Sequence, residues 1–189
     1  MKGVINIGSH YGEQYNDWKR QGAKNILMIE PIAKSFEELQ DLFGNNPDVQ
    51  LRKVALSSFI GVGMMYNDDK HLSFSASLLK PTGHYEDYPS VEFVKHEMVE
   101  VTTLDLLDYD RTLYDYMYIT AQGSELTILQ NGIESLKHVT KLKSQTYTKA
   151  LYEGCPLQEE FTDFLYGQGF HLVEIESSGL SWNYSTYMR

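Results

Sequence analysis

Gly3-Val4-Ile5-Asn6-Ile7-Gly8-Ser9-His10-Tyr11-Gly12-Glu13 decides how the chain is read. Val4, Ile5 and Ile7 form an apolar run short enough to be one buried strand, and the run ends at Gly8. Ser9 and Gly12 then occupy a tight turn, after which a helical pattern begins. A strand that turns through glycine into a helix start gathers backbone N–H groups and the positive end of the helix dipole at one point. That suits a carboxylate, a phosphate or another polar ligand end. Glycine also lets a ligand approach the backbone closely. A second apolar run, Ile26-Leu27-Met28-Ile29, ends in Glu30. An acidic side chain at the tip of the second strand is where a nucleoside-binding sheet holds ribose hydroxyls. The competing reading is a packing corner, with Glu30 a surface residue before Pro31.

The rest of the chain continues the alternation. Tyr15, Trp18 and Gly22 predict a short helix closed by Gly22, and Asn25 to Glu30 a second strand. Phe36, Leu39, Leu42 and Phe43 recur at helical spacing until Gly44-Asn45-Asn46-Pro47 stops them. Val49 to Ala55 reads as a third strand, followed by a hairpin-like excursion around Gly61-Val62-Gly63 and a strand from Met64 to Tyr66. The β-α-β-α-β order favours a parallel sheet with right-handed crossovers. From Asp68 to His96 the periodicity is lost, and a patternless stretch of this length reads as a lid or insertion over the carboxyl edge of the sheet. Met98 to Thr102 is a strand and Leu104 to Leu107 a short helix. Tyr114 to Thr120 is a core strand that enters Ala121-Gln122-Gly123-Ser124-Glu125. Leu126, Leu129, Ile133 and Leu136 mark a helical face interrupted at Asn131-Gly132. Val139 to Thr146, Phe170 to Ile175 and Tyr184 to Met188 are the last strands, with a helix through Leu157, Phe161, Phe164 and Leu165. One α/β domain, residues 1–189, with a doubly wound, mostly parallel sheet accounts for the whole pattern.

Composition narrows the function. Hydrophobic residues make up 42% of 189, enough for one sizeable core. Sixteen basic against 26 acidic residues leave a net charge of −10. A nucleic-acid backbone or an anionic membrane surface is therefore a poor partner, since both need clustered Lys and Arg. The only cysteine, Cys155, excludes an internal disulfide and fits a reducing compartment. No apolar run has the length of a membrane span, so the expectation is a cytoplasmic protein.

Ligands of open α/β sheets sit beyond the carboxyl ends of the strands. Gly8 to Gly12, Glu30, Ser57 and Thr120 to Gln122 fall there. They contain no nucleophile–base pair, and no histidine stands at metal-ligand spacing from another or from Cys155. His10, in the first turn, is as well placed to face ligand as solvent. Glu125 suits the first turn of a helix. These residues lead to a nucleoside-type ligand and leave open methyl transfer, hydride transfer and plain binding. The first turn lacks the three-glycine spacing of the dinucleotide fingerprint, which disfavours a nicotinamide-dependent oxidoreductase.

In order along the chain, Ile5 to Glu13, Ile29-Glu30-Pro31 with Phe36 and Leu39, Val54-Ala55-Leu56-Ser57 and Ser75-Ala76-Ser77-Leu78-Leu79 form a series of short motifs. Val101-Thr102-Thr103-Leu104-Asp105, Gln122-Gly123-Ser124-Glu125-Leu126 with Leu129 and Gly132, Leu151-Tyr152 with Gly154, and Gly169-Phe170 continue it. The series resembles the FkbM-like family of S-adenosylmethionine-dependent methyltransferases. The resemblance implies a class I methyltransferase sheet of about seven strands, the last antiparallel, and methyl transfer to oxygen of a small hydroxylated, sugar-like acceptor. It implies S-adenosylmethionine as cofactor, with Asn6, Gly8, Ser9, His10, Gly12 and Glu13 around its methionine part and Glu30 on its ribose. Ser57 and Ser77 would lie near the adenine or the cofactor's rim. Thr120, Gln122, Glu125 and Gln145 would face the reaction. Three positions depart from the family pattern. Thr120 stands where the family has an acid, Tyr118 where it tends to have Lys, and Gln145-Thr146 where it has Glu-Val. Two neutral groups thus replace carboxylates, which leaves as the rival a catalytically degenerate cofactor-binding or interaction protein of the same fold.

Overall fold

The computed structural model describes residues 1–68 and 72–189. Its elements follow the apolar runs: β1 (Gly3–Ile7), α1 (Tyr15–Arg20), β2 (Asn25–Ile29), α2 (Ala33–Phe43), β3 (Val49–Arg52), β4 (Ala55–Leu56) and β5 (Gly61–Asn67). Next come α3 (His84–Asp87), β6 (Lys95–Thr102), β7 (Tyr116–Ile119), α4 (Glu125–Gln130), α5 (Ile133–Leu136), β8 (Lys141–Tyr147), α6 (Gln158–Gly167), β9 (His171–Ser177) and β10 (Trp182–Met188). Seven strands form the main sheet in the order β3-β2-β1-β7-β8-β10-β9. β1 runs parallel to β2 and β7, β2 to β3 and β7 to β8, while β10 is antiparallel to both its neighbours. This is the class I arrangement expected from the sequence.

β1, β2 and β7 are buried on both faces, which is why they read as unbroken apolar runs rather than alternating ones. On one face Ile5, Ile7, Leu27, Met117 and Ile119 pack against Leu126 and Leu129 of α4 and Phe161 and Leu165 of α6. On the other, Val4, Ile26, Met28, Tyr116 and Tyr118 meet Trp18 of α1 and Leu39 of α2. Both helical sets come from crossovers, so the loops that carry ligands all emerge at one edge.

Two sequence expectations change here. Val49 to Ala55 is not one strand: β3 ends at Arg52, and Ala55 and Leu56 leave for a separate three-stranded sheet of order β4-β6-β5. Gly61 to Gly63 is not a turn but the start of β5, paired antiparallel with β6. A Cβ at Gly63 would stand 2.9 Å from Val101 Cγ2 and 3.0 Å from Leu78 Cδ2. The glycine there admits a neighbour rather than a reversal. In the stretch from Asp68 to His96, positions 69–71 lie outside the described residues. The remainder carries α3, an isolated pairing of Ser77 with Tyr66 and another of Pro81 with Tyr152, and it buries Ser77, His84 and Val91.

Gly8 fixes how closely the first loop meets β7. It has φ +75°, and a Cβ on it would lie 2.1 Å from the Thr120 carbonyl oxygen. Gly22, at φ +87°, has nothing within 4 Å. Gly22→Ala is therefore expected to cost only the left-handed penalty, about 1–2 kcal/mol. Gly8→Ala should lose clearly more, because the end of β7 has to move. Urea unfolding of the two variants checks this; equal losses would remove the Gly8–Thr120 approach as a constraint.

Candidate functional site

A cavity of about 390 Å³ opens at the carboxyl edge of the main sheet, where β1, β2, β7 and β8 end. The turn after β1 is stapled to β2. Gly8 and Ser9 donate their N–H groups to the Ile29 carbonyl, at 3.0 and 3.1 Å. The Ser9 hydroxyl donates to the Asn6 carbonyl and accepts the Ile29 N–H, each at 3.0 Å. α1 has only six residues and no side-chain cap, so side chains, not a helix dipole, set the polarity here.

The central group is Glu30. Its carboxyl is buried, with Oε2 accepting the His10 N–H and Oε1 the Ile32 N–H, both at 2.8 Å. Burial pushes its pKa up to about 7, against the pull of those two amides and of the His10 ring. Each oxygen keeps a lone pair free for a further donor.

His10 itself sits at φ 49°, and both its ring nitrogens face oxygens. Nδ1 lies 2.5 Å from Glu13 Oε1 and Nε2 2.6 Å from the Leu72 carbonyl. Only the imidazolium satisfies both at once. Burial works against that charge, but the hydrogen bonds to Glu13 and Leu72, with the charges of Glu13 and Glu30, hold the His10 pKa above its ordinary value. The ring is flanked by Tyr11 at 3.8 Å and Phe74 at 4.1 Å between centroids.

The loop after β7 repeats the device used by Glu30. Glu125 Oε1 accepts the Ala121 N–H at 2.8 Å and Oε2 the Gly123 N–H at 2.9 Å, with burial pushing the pKa up to about 7. Gln122 is held at φ 50° and reaches across to the segment that begins at Leu72. Its Nε2 donates to the Phe74 carbonyl at 2.9 Å, and its own carbonyl accepts the Ser77 hydroxyl at 2.7 Å. Tyr152 donates its hydroxyl to Gln122 Oε1 and to the Ser75 carbonyl, each at 3.1 Å. The segment is thus strapped to two loops of the main sheet.

Of the residues singled out in the sequence, Gly8, His10, Glu13, Glu30, Thr120, Gln122 and Gln145 line the cavity together. The others do not. Ser9 and Ser77 hold loops from behind, and Glu125 lies beneath its own loop. Gly12, at φ +76°, makes room for Phe43 and Leu39 of α2. Ser57 gives its N–H to the Thr102 carbonyl in the smaller sheet. Asn6 is fully buried, and its side chain has no partner. Sequence reasoning missed an apolar slot of Ile32, Ala55, Met65, Ala76 and Leu78, and an aromatic wall of Tyr88, Tyr118, Trp182 and Tyr184. The lost periodicity after Asp68 was the one signal pointing to part of them. Among the described residues no group of three or more His, Cys, Asp or Glu side chains could hold a metal ion, and no helix is long and apolar enough to cross a membrane.

No protein-family model matches the sequence, and no curated protein matches it. Solved structures do match in shape. The methyltransferase FkbM from Methylobacillus flagellatus aligns over 99% of this chain with a TM-score of 0.63 at 12% identity. The chain spans only 43% of that protein's length. Magnesium protoporphyrin IX methyltransferase from Synechocystis, solved with bound S-adenosylmethionine, aligns over 99% of this chain and 69% of its own at TM-score 0.52 and 10% identity. Fibrillarin from Aeropyrum pernix, with natively bound S-adenosylmethionine, aligns over 98% and 66% at TM-score 0.53 and 9% identity. At such identities the likeness establishes the fold, a Rossmann-like class I methyltransferase fold.

The doubly hydrogen-bonded His10 gives the strap a pH dependence. Its folded pKa lies above the ordinary 6.5, so its stabilisation is complete below that value and is lost as pH rises through the folded one. Amide exchange at residues 73–79, corrected for intrinsic rates, should show less protection at pH 8.5 than at pH 6, a difference absent in His10→Ala. Equal protection at both pH values in the unaltered protein would contradict the clip.

Proposed function

We propose that the chain is an S-adenosylmethionine-dependent methyltransferase acting on oxygen of a small hydroxylated acceptor. The observation that carries this is Glu30: a buried carboxylate at the tip of β2, lining the cavity, with one lone pair left on each oxygen. Two neighbouring hydroxyls, as on a ribose, are the ligand group that completes it. The rest of the cavity fits the same molecule. The slot of Ile32, Ala55, Met65, Ala76 and Leu78 suits a flat base, and Gly8, whose close approach to Thr120 brings the ends of β1 and β7 together, lines the cavity beside it. The segment from Leu72 onward covers this end, and His10 holds it there.

Bound there, S-adenosylmethionine would supply an electrophilic methyl group to the acceptor oxygen, the carbon–sulfur pair staying on sulfur and the acceptor's proton going to solvent. The protein's part is to hold and align the two reactants and to exclude side reactions. Thr120 and Gln145 line the cavity as neutral groups and can orient a hydroxyl but not take its proton. That neutrality also supports the second reading, a protein that binds the cofactor without transferring its methyl group.

Calorimetry with S-adenosylhomocysteine tests the assignment. Glu30→Ala should weaken binding by about 1.5–3 kcal/mol, the range for hydrogen bonds to a charged group. The ligand's hydroxyls favour the carboxylate, whose pKa in the free protein is about 7. Affinity should therefore be level above that pH and fall by up to about tenfold per unit below it, with proton release on binding at pH 6. Unchanged affinity in Glu30→Ala, or binding indifferent to pH from 5.5 to 8, would remove Glu30 from the site.

A further inference from the structure

Three strands along the sheet from Glu30, on the order of 14 Å away, the same cavity ends in a different surface. His84 and Tyr88 of the strap stack at 4.9 Å, and the Trp182 indole donates to the Tyr88 hydroxyl at 2.6 Å. Trp182 and Tyr184 meet edge to face at 5.3 Å, and Tyr184 stands opposite Gln145 in the β8–β10 register. Asp87 fixes the strap to this strand, accepting the Ser181 N–H at 2.8 Å and its hydroxyl at 2.9 Å. The wall is therefore tied together by hydrogen bonds and ring contacts, contributed by α3 and Tyr88 after it, by β8 and by β10.

None of its cavity-lining side chains carries a formal charge; Lys143, whose Nζ lies 5.3 Å over the Tyr184 ring, is paired with Glu176 and neither lines the cavity. The two carboxylates that line the cavity, Glu13 and Glu30, are both bonded to His10 at the other end. His84 is kept neutral, burial pushing its pKa down to about 4 despite the charges of Asp87 and Asp68. Two of its members also hold a buried polar atom without a partner: Gln145 Oε1 and His84 Nδ1, in side chains 5% and 2% exposed. Native interiors rarely leave such atoms unpaired, and a half-turn of the Gln145 amide offers the cavity either its oxygen or its N–H groups.

We propose that this wall is the acceptor subsite and that it takes a small uncharged phenol, its ring against Trp182, Tyr184 and Tyr88 and its hydroxyl on the Gln145 amide. The assignment rests on the methyltransferase reading for its role, though not for its chemistry. Aromatic side chains offer ring faces and edges to an aromatic guest. A wall without charge repays nothing for desolvating an ionic one. One free amide matches one hydroxyl, whereas a sugar would bring several polar groups to a surface of rings. Thr120 and Gln145 supply no base, so the acceptor has to release its proton unaided. A phenol, with a pKa near 10 as in tyrosine, does so far more readily than an aliphatic alcohol.

The test uses the whole chain and a panel of phenol, 4-fluorophenol, cyclohexanol, benzoate and glucose. Binding is read by Trp182 fluorescence and, for 4-fluorophenol, by fluorine NMR; Trp18, buried between α1 and the sheet, serves as the unchanging second emitter. Phenol and 4-fluorophenol are expected to bind at least tenfold more tightly than the other three. Gln145→Leu and Trp182→Ala should each weaken 4-fluorophenol binding, read in every variant by fluorine NMR, at least tenfold, while Trp182→Phe, which keeps a ring, should retain most of the affinity. Glucose or benzoate binding as well as phenol, no phenol binding at all, or indifference to Gln145→Leu would overturn the proposal. S-adenosylhomocysteine, titrated separately, distinguishes the two claims. Phenol binding without it leaves the subsite standing and removes the cofactor; cofactor binding without phenol removes the subsite alone.

Discussion

A buried carboxylate between two loop amides is the constraint on which this site depends. Glu30 takes the N–H of His10 from the loop after β1 and that of Ile32 from the loop after β2. Removing a carboxylate from water is unfavourable, and two charge-assisted hydrogen bonds only partly offset it, which is why its pKa stays high. In return, both loops have one relative position. His10, held at its backbone by Glu30, then aims its ring at Glu13 and the Leu72 carbonyl, so the cover over the cavity is set by the same carboxylate. Glu125 does for the loop after β7 what Glu30 does for the first two, but from below.

The cavity that results has three chemically distinct parts. A carboxylate and an imidazole form the polar end, an apolar slot lies under the strap, and an uncharged aromatic wall closes the side toward β10. A sulfonium cofactor and its acceptor make different demands, and these parts divide along that line. Under the proposed function the polar end and the slot would take the nucleoside, and the wall a guest whose own acidity replaces a base. On this view the neutral Thr120 and Gln145 mark a choice of acceptor rather than a lost activity.

Much of the frame was legible in the sequence because β1, β2 and β7 are buried on both faces and their crossovers end in glycine. Glu30 was legible for the same reason, as the acid terminating a buried run. What the sequence does not carry is the side of the backbone a polar residue serves. Ser9, Ser77 and Glu125 are of the same residue types as true lining groups, yet each turns inward to a loop amide or carbonyl. Gly12 and Gly63 look like turn residues but admit Phe43 and Leu78. The break between β3 and β4 was hidden because Val49, Leu51, Ala55 and Leu56 follow one another closely enough to read as one strand, and the change of sheet depends on pairing with distant Val101. The aromatic wall was invisible because its members, from the segment after α3 and from β7 and β10, meet only through tertiary contacts.

The most direct measurement is a crystal structure of the protein grown with S-adenosylhomocysteine. Both ribose hydroxyls should lie within hydrogen-bond distance of the Glu30 carboxylate, the adenine in the slot between Ile32 and Leu78, and the sulfur directed toward Thr120 and Gln145. Density for the ligand elsewhere, or a ribose that leaves Glu30 bonded to its two loop amides alone, would contradict this placement.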